Sequence, residues 1–339
     1  MRYAIIGSGA VGGLYGAMLA RGGADVHFLL HSDFDHVAAN GWRIDSKNGD
    51  FVLEKPNVYQ RAQDMPKCDV VIIALKSTHN GLLPDILPHV LAERGAVLSL
   101  QNGLDVERDS VEAAAGHDVL GGCCFLCSNK VGPGHIHHLD YGRIVFGVYR
   151  DGDPKYDDSK GTAHAAGQSI FADMIAARID AEWTDDLATA RWRKLMWNIP
   201  FNGLSVALDA STDAIIGCPA SRELADTIIR EVHRGAAVCG HVIDESAIEK
   251  TMQHTETMVP YDSSMRLDFL HGRPMEVDAI FRNPLRAVAE AMQTRAESGS
   301  PKSANSVENP VHPMPSVAML SQQLQFLDSR PRRASNLGR

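Results

Sequence analysis

The feature that most limits what this chain can fold into is a glycine-rich turn close to its start. The turn, Gly7-Ser8-Gly9-Ala10-Val11-Gly12, directly follows an apolar stretch and opens a helical pattern that runs to Arg21. In such a turn the first glycine permits a tight bend, the second lets a pyrophosphate approach bare backbone, and the third lets the helix pack against the strand. The first N–H groups of the helix then face the phosphates. With a second strand by residue 30, the pattern predicts that these six residues bind a dinucleotide.

The first half of the chain alternates β-branched runs with helical patterns, an order typical of βαβ units that build a mostly parallel sheet. The predicted strands cover residues 3–6, 26–30, 70–75, 96–100, 119–125 and 143–148. Residues 43–47 and 51–53 alternate around Asn48-Gly49, a dipeptide that favours a type I′ turn, so a small hairpin is expected there. We therefore predict an α/β Rossmann-type N-terminal domain over residues 1–183.

From Thr184 onward the apolar residues recur every three or four positions, which predicts helices. We expect an all-α C-terminal domain over residues 184–330 that carries the substrate and catalytic residues. Residues 293–312 are rich in Ser, Asn and Pro and lack periodicity, which predicts a loop. Residues 331–339 are expected to form a disordered tail.

Composition and charge exclude several classes of protein. The 339 residues carry a formal net charge of -9, which argues against a nucleic-acid partner, because phosphate binding depends on clustered Lys and Arg. Five glycines interrupt the apolar start of the chain, which a signal peptide would rarely tolerate, and no run of 18 apolar residues follows. We expect a cytoplasmic protein without a membrane partner.

Two groups of residues have some of the features of a metal site. Cys124 and Cys127 have C-x-x-C spacing, but no second pair follows them. His135, His137 and His138 lie close together, but they alternate as on a strand and lack carboxylate or Cys partners. We therefore predict no metal, and reduced thiols in the core.

The choice between NADP and NAD depends on the end of the second strand, where an acidic side chain binds a ribose 2′-hydroxyl and a basic one meets a 2′-phosphate. His31 occupies that place, and Asp33 lies two residues further on. The residues alone leave both cofactors open.

A polar stripe marks the first helix of the predicted second domain. Lys194, Asn198 and Asn202 recur every four residues, so they drift only about 40° per step and share one face. Such a stripe is either the solvated face of the helix or the lining of a cleft. Pro200 lacks a backbone donor and is expected to kink this helix.

Further motifs accompany the glycine turn and the stripe. They are Ala74-Leu75-Lys76, Gln101-Asn102-Gly103, Trp192-Arg193-Lys194-Leu195, Ser263-Ser264-Met265-Arg266-Leu267-Asp268 and Gly272-Arg273-Pro274-Met275-Glu276-Val277-Asp278. Together they resemble the ketopantoate reductase (2-dehydropantoate 2-reductase) family over roughly residues 1–292. The resemblance implies the two-domain plan of 6-phosphogluconate-dehydrogenase-like reductases, a role in pantothenate biosynthesis, NADPH as cofactor and a homodimer.

The resemblance also implies roles for individual residues. Lys194 would be the general acid and Glu276 would assist it; Asn198, Asn202, Ser264 and Asn102 would bind the keto-acid substrate; His31, Lys76 and Asn102 would join the glycine turn in binding the cofactor. The chemistry suits Lys194, because hydride delivery to a ketone leaves negative charge on oxygen that an ammonium can stabilise and protonate. Ser263, Ser264 and Asp268 also fit a turn and helix cap.

Three departures from the family leave alternatives open. His31 stands where the family commonly has an arginine, which puts the affinity for NADP in question. Phe281-Arg282-Asn283-Pro284 replaces a glycine-containing continuation, and the loop at 293–312 is longer than expected; both put the substrate in question. The alternatives are an NAD(P)-dependent dehydrogenase of another hydroxy or amino acid and a non-catalytic protein that senses NADP.

Overall fold

The computed structural model describes residues 1–150, 161–260, 262–297 and 312–330. The chain forms two compact units, an N-terminal unit of Met1–Asn102 and Val106–Leu187 and a C-terminal unit of Gly103–Asp105 and Ala188–Arg339. The C-terminal unit thus includes a short segment from the first half of the chain. Leu104 explains it, because its N–H donates to the Ala279 carbonyl at 2.9 Å and its carbonyl accepts from Asn283 Nδ2 at 2.8 Å.

The N-terminal unit is built on a ten-stranded, mostly parallel sheet, as the sequence predicted. In the described residues the strands are β1 Arg2–Ile6, β2 Asp25–Leu29, β3 Trp42–Ser46, β4 Phe51–Leu53, β5 Asn57–Tyr59, β6 Cys68–Ile73, β7 Leu91–Ser99, β8 Asp118–Gly132, β9 His135–Val148 and β10 Ala181–Trp183. The order is β4-β3-β9-β8-β7-β6-β1-β2-β5, with β10 beside β9. Because β1 lies between β6 and β2, its carboxyl end is the switch point where open α/β sheets bind ligands.

Helices cover the sheet on both faces because its central strands are apolar on both sides. They are α1 Ala10–Arg21, α2 Phe34–Asn40, α3 Leu83–Val90, α4 Arg108–Ala113 and α5 Thr162–Ala176. Tyr3 and Ile5 of β1 enter one apolar cluster with α1 and α5, and Ala4 and Ile6 enter another with α3. This two-sided burial fixes β1 at the centre of the unit.

Two hairpins extend the sheet beyond the parallel strands. The predicted hairpin of β3 and β4 is present, but its turn is not type I′, because Gly49 has a positive φ of 109° and Asn48 does not. The second hairpin joins β8 to β9, and β9 then pairs with β3. Gly13 of α1 lies against Trp42 and Ile136, so the sheet curls around α1.

All the regular secondary structure in the described part of the C-terminal unit is helical, as predicted. Its helices are α6 Leu187–Ala207, α7 Thr212–Gly217, α8 Pro219–Val238, α9 Ser246–Thr257, α10 Ser264–Leu270, α11 Asn283–Glu297 and α12 Pro315–Ser329, with a π-helical turn at Asp278–Arg282. α6 continues through Pro200. α11 includes residues 293–297 of the expected loop, where Gln293 Nε2 donates to Glu297 at 2.8 Å. The rest of that loop up to residue 311, and the expected tail, lie outside the described residues.

The Cys and His residues that have some of the features of a metal site lie in the sheet of the N-terminal unit. Burial raises the pKa of the Cys127 thiol to about 12, and Cys124 is buried on the same strand. His135 Nε2 lies 2.7 Å from an Asp45 oxygen across β9 and β3. Across the described ranges, no three His, Cys, Asp or Glu side chains are grouped to hold a metal ion. None of the helices in those ranges combines the length and the apolar character needed to span a bilayer.

His138 predicts a pH dependence of the stability of the N-terminal unit. Its Nε2 donates to the Tyr141 carbonyl at 2.9 Å, and its Nδ1 lies 2.9 Å from the Ser46 hydroxyl, which can donate to the neutral ring. Burial lowers its pKa below the ordinary value of 6.5. As the pH falls below about 6.5, His138 therefore becomes protonated in the unfolded chain before it does so in the folded chain. The free energy of unfolding then decreases until the pH reaches the pKa of the folded state.

The urea midpoint should be lower at about pH 5.5 than at about pH 7.5. The difference between the two midpoints should be smaller in His138→Gln, whose amide can still donate to the Tyr141 carbonyl. An unchanged pH dependence in the variant would assign the loss of stability to other groups.

Candidate active site

The glycine turn lies at the carboxyl end of β1 and leads directly into α1. Gly7 has a φ of 96°, and a side chain there would overlap the backbone of Ala74 and Leu75; one at Gly12 would overlap the Gly7 carbonyl. A side chain at Gly9 would meet nothing within 4 Å. Gly7 and Gly12 are thus required by the fold, whereas Gly9 leaves open space beside the backbone.

The start of α1 fits the diphosphate of a dinucleotide. Ala10, Val11 and Gly12 form its first turn, in which there is no acidic residue, and the cap residue Gly9 supplies no side-chain hydrogen bond. The N–H groups of a helix start carry partial positive charge and bind anions. Open space at Gly9 lets a phosphate reach them, so the turn fits the cofactor that the sequence predicts.

Two loops that follow neighbouring strands lie beside this turn. Leu75, the residue before Lys76, contacts Gly7 through its backbone and accepts a hydrogen bond from Gln101 Nε2 at 3.0 Å. The same Gln101 nitrogen donates to Asn80 at 2.6 Å. Gln101 therefore ties the loop after β6 to the loop after β7, and the segments that carry Lys76 and Asn102 meet at the switch point.

The end of β2 completes this edge of the sheet. Ser8 Oγ donates to the Leu29 carbonyl at 3.3 Å, and His31 is exposed just beyond the strand. Asp33 is buried, and it accepts from the Gly134 N–H at 3.0 Å and pairs with Lys130 Nζ at 2.6 Å. The Asp33 carboxylate, which made NAD an alternative cofactor in the sequence analysis, is thus already bound by groups of the β8–β9 hairpin.

The polar stripe of α6 is buried and is not a solvated face. Lys194, Asn198 and Asn202 are 9%, 4% and 2% exposed. Within the described residues, Asn198 Nδ2 and Asn202 Oδ1 have no hydrogen-bond partner. An unpaired buried polar atom costs about 1–3 kcal/mol, so two of them on one stripe indicate a place prepared for a polar ligand.

Ser264 is connected to the same stripe through two serines, Ser263 and Ser205, of which the sequence analysis missed Ser205. Ser205, one turn beyond Asn202, lies with its Oγ 2.7 Å from that of Ser263. Ser263 caps α10 by accepting the Arg266 N–H at 3.1 Å, which confirms the helix cap. Ser264 is the first residue of α10 and is half-buried. The hydroxyl pair thus holds the start of α10 beside the end of the stripe.

Glu276 lies just before the π-helical turn and is 4% exposed. Its position is fixed from both sides, since the Met275 N–H donates to Asp328 at 3.1 Å and the Ile280 N–H donates to the Glu276 carbonyl at 3.1 Å. Phe281, by contrast, is fully buried in the apolar cluster of this unit and lies against Gly203 of α6. It contributes to the core.

A parallel sheet with a glycine turn at its switch point, followed by a helical unit with a buried lysine and two asparagines, defines a two-unit dinucleotide-dependent oxidoreductase. Comparison with protein families identifies one family within that class. The family model described as "Ketopantoate reductase PanE/ApbA" matches residues 3–151, and the model described as "Ketopantoate reductase PanE/ApbA C terminal" matches residues 186–297. The chain belongs to the ketopantoate reductase family.

Individual relatives agree with this assignment. The chain is similar to the 2-dehydropantoate 2-reductase of Nostoc sp., with 44% identity over 98% of this chain and 96% of the relative. Its structure is similar to that of the 2-dehydropantoate 2-reductase of Geobacter metallireducens, with a TM-score of 0.82 and 35% identity over 96% and 99% of the two chains. A D-mandelate dehydrogenase bound to NADH and anilino(oxo)acetate shares the fold, with a TM-score of 0.77 and 18% identity over 97% and 98%.

Proposed function

We propose that this chain reduces 2-dehydropantoate to its 2-hydroxy acid with NADPH, and that Lys194 is the general acid. The observation that carries the proposal is the buried stripe of Lys194, Asn198 and Asn202, with one unpartnered amide atom on each asparagine. The 44% identity to the Nostoc reductase over nearly the whole chain supports the substrate. Six free cysteines, four of them buried, suit a cytoplasmic enzyme, and the family implies a homodimer.

The glycine turn holds the cofactor in this proposal. The N–H groups at the start of α1 bind the diphosphate, which the open space at Gly9 admits. Lys76 and Asn102 lie on loops beside the turn and serve the cofactor, and Asn102 also serves the substrate. The bound nicotinamide supplies the hydride.

The C-terminal unit supplies the groups that handle the keto acid. The Lys194 ammonium donates a hydrogen bond to the keto oxygen, stabilises the charge that develops there and then gives up a proton. Asn198 Nδ2 donates to the carboxylate, and Asn202 Oδ1 accepts from the substrate hydroxyl. Ser264 contributes a further hydroxyl, and Glu276 assists Lys194. The contacts of Asn198 and Asn202 give a partner to two amide atoms that the protein has already removed from water.

The test is NADPH oxidation with a panel of 2-keto acids that includes 2-dehydropantoate, pyruvate and the analogue of 2-dehydropantoate without its hydroxyl. We expect 2-dehydropantoate to have the highest kcat/KM, at least about tenfold above the analogue, because the analogue leaves Asn202 unpaired. Faster turnover of another acid would identify a different dehydrogenase, and tight NADPH binding with no turnover would identify a sensor.

Asn198→Ala should separate function from folding. We expect kcat/KM for the keto acid to fall about tenfold or more, since a hydrogen bond to a charged group is lost. The affinity for NADPH should not change. The free energy of unfolding should fall only modestly, because the Nδ2 that is removed has no hydrogen-bond partner in the described residues. Gln253→Ala, which removes an exposed amide from α9, is the matched control; equal effects of the two substitutions on kcat/KM would contradict the assignment.

A further inference from the structure

Asp33 lies where an NAD-type carboxylate would bind a ribose hydroxyl, yet its environment differs from that of such a carboxylate. It is 5% exposed and accepts from Lys130, from the Gly134 N–H and from Ser32 Oγ at 3.1 Å. Two of these groups come from the β8–β9 hairpin, about a hundred residues further along the chain. The tip of that hairpin is therefore anchored at the end of β2.

The charge at this place decides which cofactor can bind. Burial alone would raise the pKa of Asp33, but hydrogen bonds from Lys130 and Gly134 outweigh it and lower that pKa, so the carboxylate is ionised at neutral pH. An ionised carboxylate repels a 2′-phosphate unless a nearby cation neutralises its charge. Lys130 supplies the neutralising charge.

Lys130 also has the capacity for a second anion. An ammonium has three N–H donors, and its side chain is 33% exposed while one donor is directed to Asp33 at 2.6 Å. The residue is a compact, flexible point charge of the kind that binds phosphate. His31 is exposed at the end of the same strand. The end of β2 thus offers two basic side chains where the sequence suggested one histidine beside an acid.

We propose that Lys130 binds the 2′-phosphate of NADP together with His31 and determines the preference of this chain for NADP over NAD. Asp33 is then a positioning residue that holds the lysine at the end of β2. The inference rests on the proposed function for the cofactor but not for the substrate. It explains how the chain can take NADP without the arginine that the family commonly has at His31.

The experiment measures the dissociation constants of NADPH and NADH for the whole protein by titration calorimetry, with no keto acid present. The variants are Lys130→Met, Lys130→Arg and the control Lys47→Met, which removes the lysine that pairs with Asp140 at the same hairpin. Lys130→Met should weaken NADPH binding about tenfold or more and leave NADH within about twofold, because only NADPH carries the phosphate. Lys130→Arg and Lys47→Met should retain the wild-type ratio.

Three results would overturn the inference. They are a wild type that binds NADH as tightly as NADPH, a Lys130→Met protein with unchanged NADPH affinity, and a variant in which both cofactors weaken equally with a lower Tm. Should Lys130→Met fail to fold, the salt dependence of wild-type binding decides, since NADPH affinity must fall more steeply than NADH affinity. Lys130-dependent NADPH binding without turnover of 2-dehydropantoate would disprove the proposed function and leave this inference standing.

Discussion

Lys194→Ala should lower kcat for the keto acid by about a hundredfold or more, with little change in the affinity for NADPH. The reason is that the ammonium acts on the reacting oxygen, and loss of a general acid typically costs about 10²–10⁴ in rate. Lys194 is 9% exposed, and it lies on a helix whose neighbouring residues form the core of the C-terminal unit. Stopped-flow measurement of NADPH oxidation gives the rate, and calorimetry gives the affinity.

Lys250→Ala is the control, because Lys250 is an exposed lysine on α9 of the same unit. It should have wild-type kinetics. If Lys194→Ala retained a rate within about threefold of the wild type, general acid catalysis by this residue would be ruled out.

Gly9→Ala should abolish tight NADPH binding while the protein stays folded. Gly9 is extended, with φ −84° and ψ −154°, and the added methyl group would meet nothing within 4 Å, so the fold accepts alanine. The same methyl group would occupy the space through which the diphosphate reaches the start of α1. We expect NADPH affinity to fall at least about tenfold with a Tm within a few degrees of the wild type.

Gly7→Ala should differ from Gly9→Ala in its effect on stability. Its φ of 96° and its contact with the Leu75 backbone make alanine strained, at a cost of about 3 kcal/mol. The Tm should therefore fall together with NADPH binding. Gly217→Ala, at an open position in the C-terminal unit, should change neither. Wild-type NADPH affinity in Gly9→Ala would refute the assignment of the turn.

Much of the fold could be predicted because its signals are local. The strands around Ile5 and Ile72 are continuous apolar runs, and the glycine turn lies within a dozen residues. The stripe of α6 follows from the period of a helix. β5 and β10 were missed because each has three residues at the side of the sheet, too few for a pattern.

The remaining parts of the site depend on contacts between residues far apart in the chain. Lys130 reaches Asp33 only because β9 runs back along β8 and the sheet curls around α1. Ser205 meets Ser263 only because α6 and α10 pack together. No periodicity records such pairs. The sequence therefore leaves the choice between NADP and NAD open at His31 and Asp33. Only the structure places Lys130 beside Asp33.

Hydride transfer from the cofactor to the keto acid is tested most directly by following the hydride itself. NADPH that carries deuterium at the transferred position of its nicotinamide ring is mixed with the protein and 2-dehydropantoate, and the product is analysed by NMR. We expect one deuterium on the carbon that held the keto group, formed at the rate of NADPH oxidation and lost with Lys194→Ala. NADPH oxidation that leaves no deuterium in the product, or no oxidation at all, would contradict hydride transfer to the keto acid.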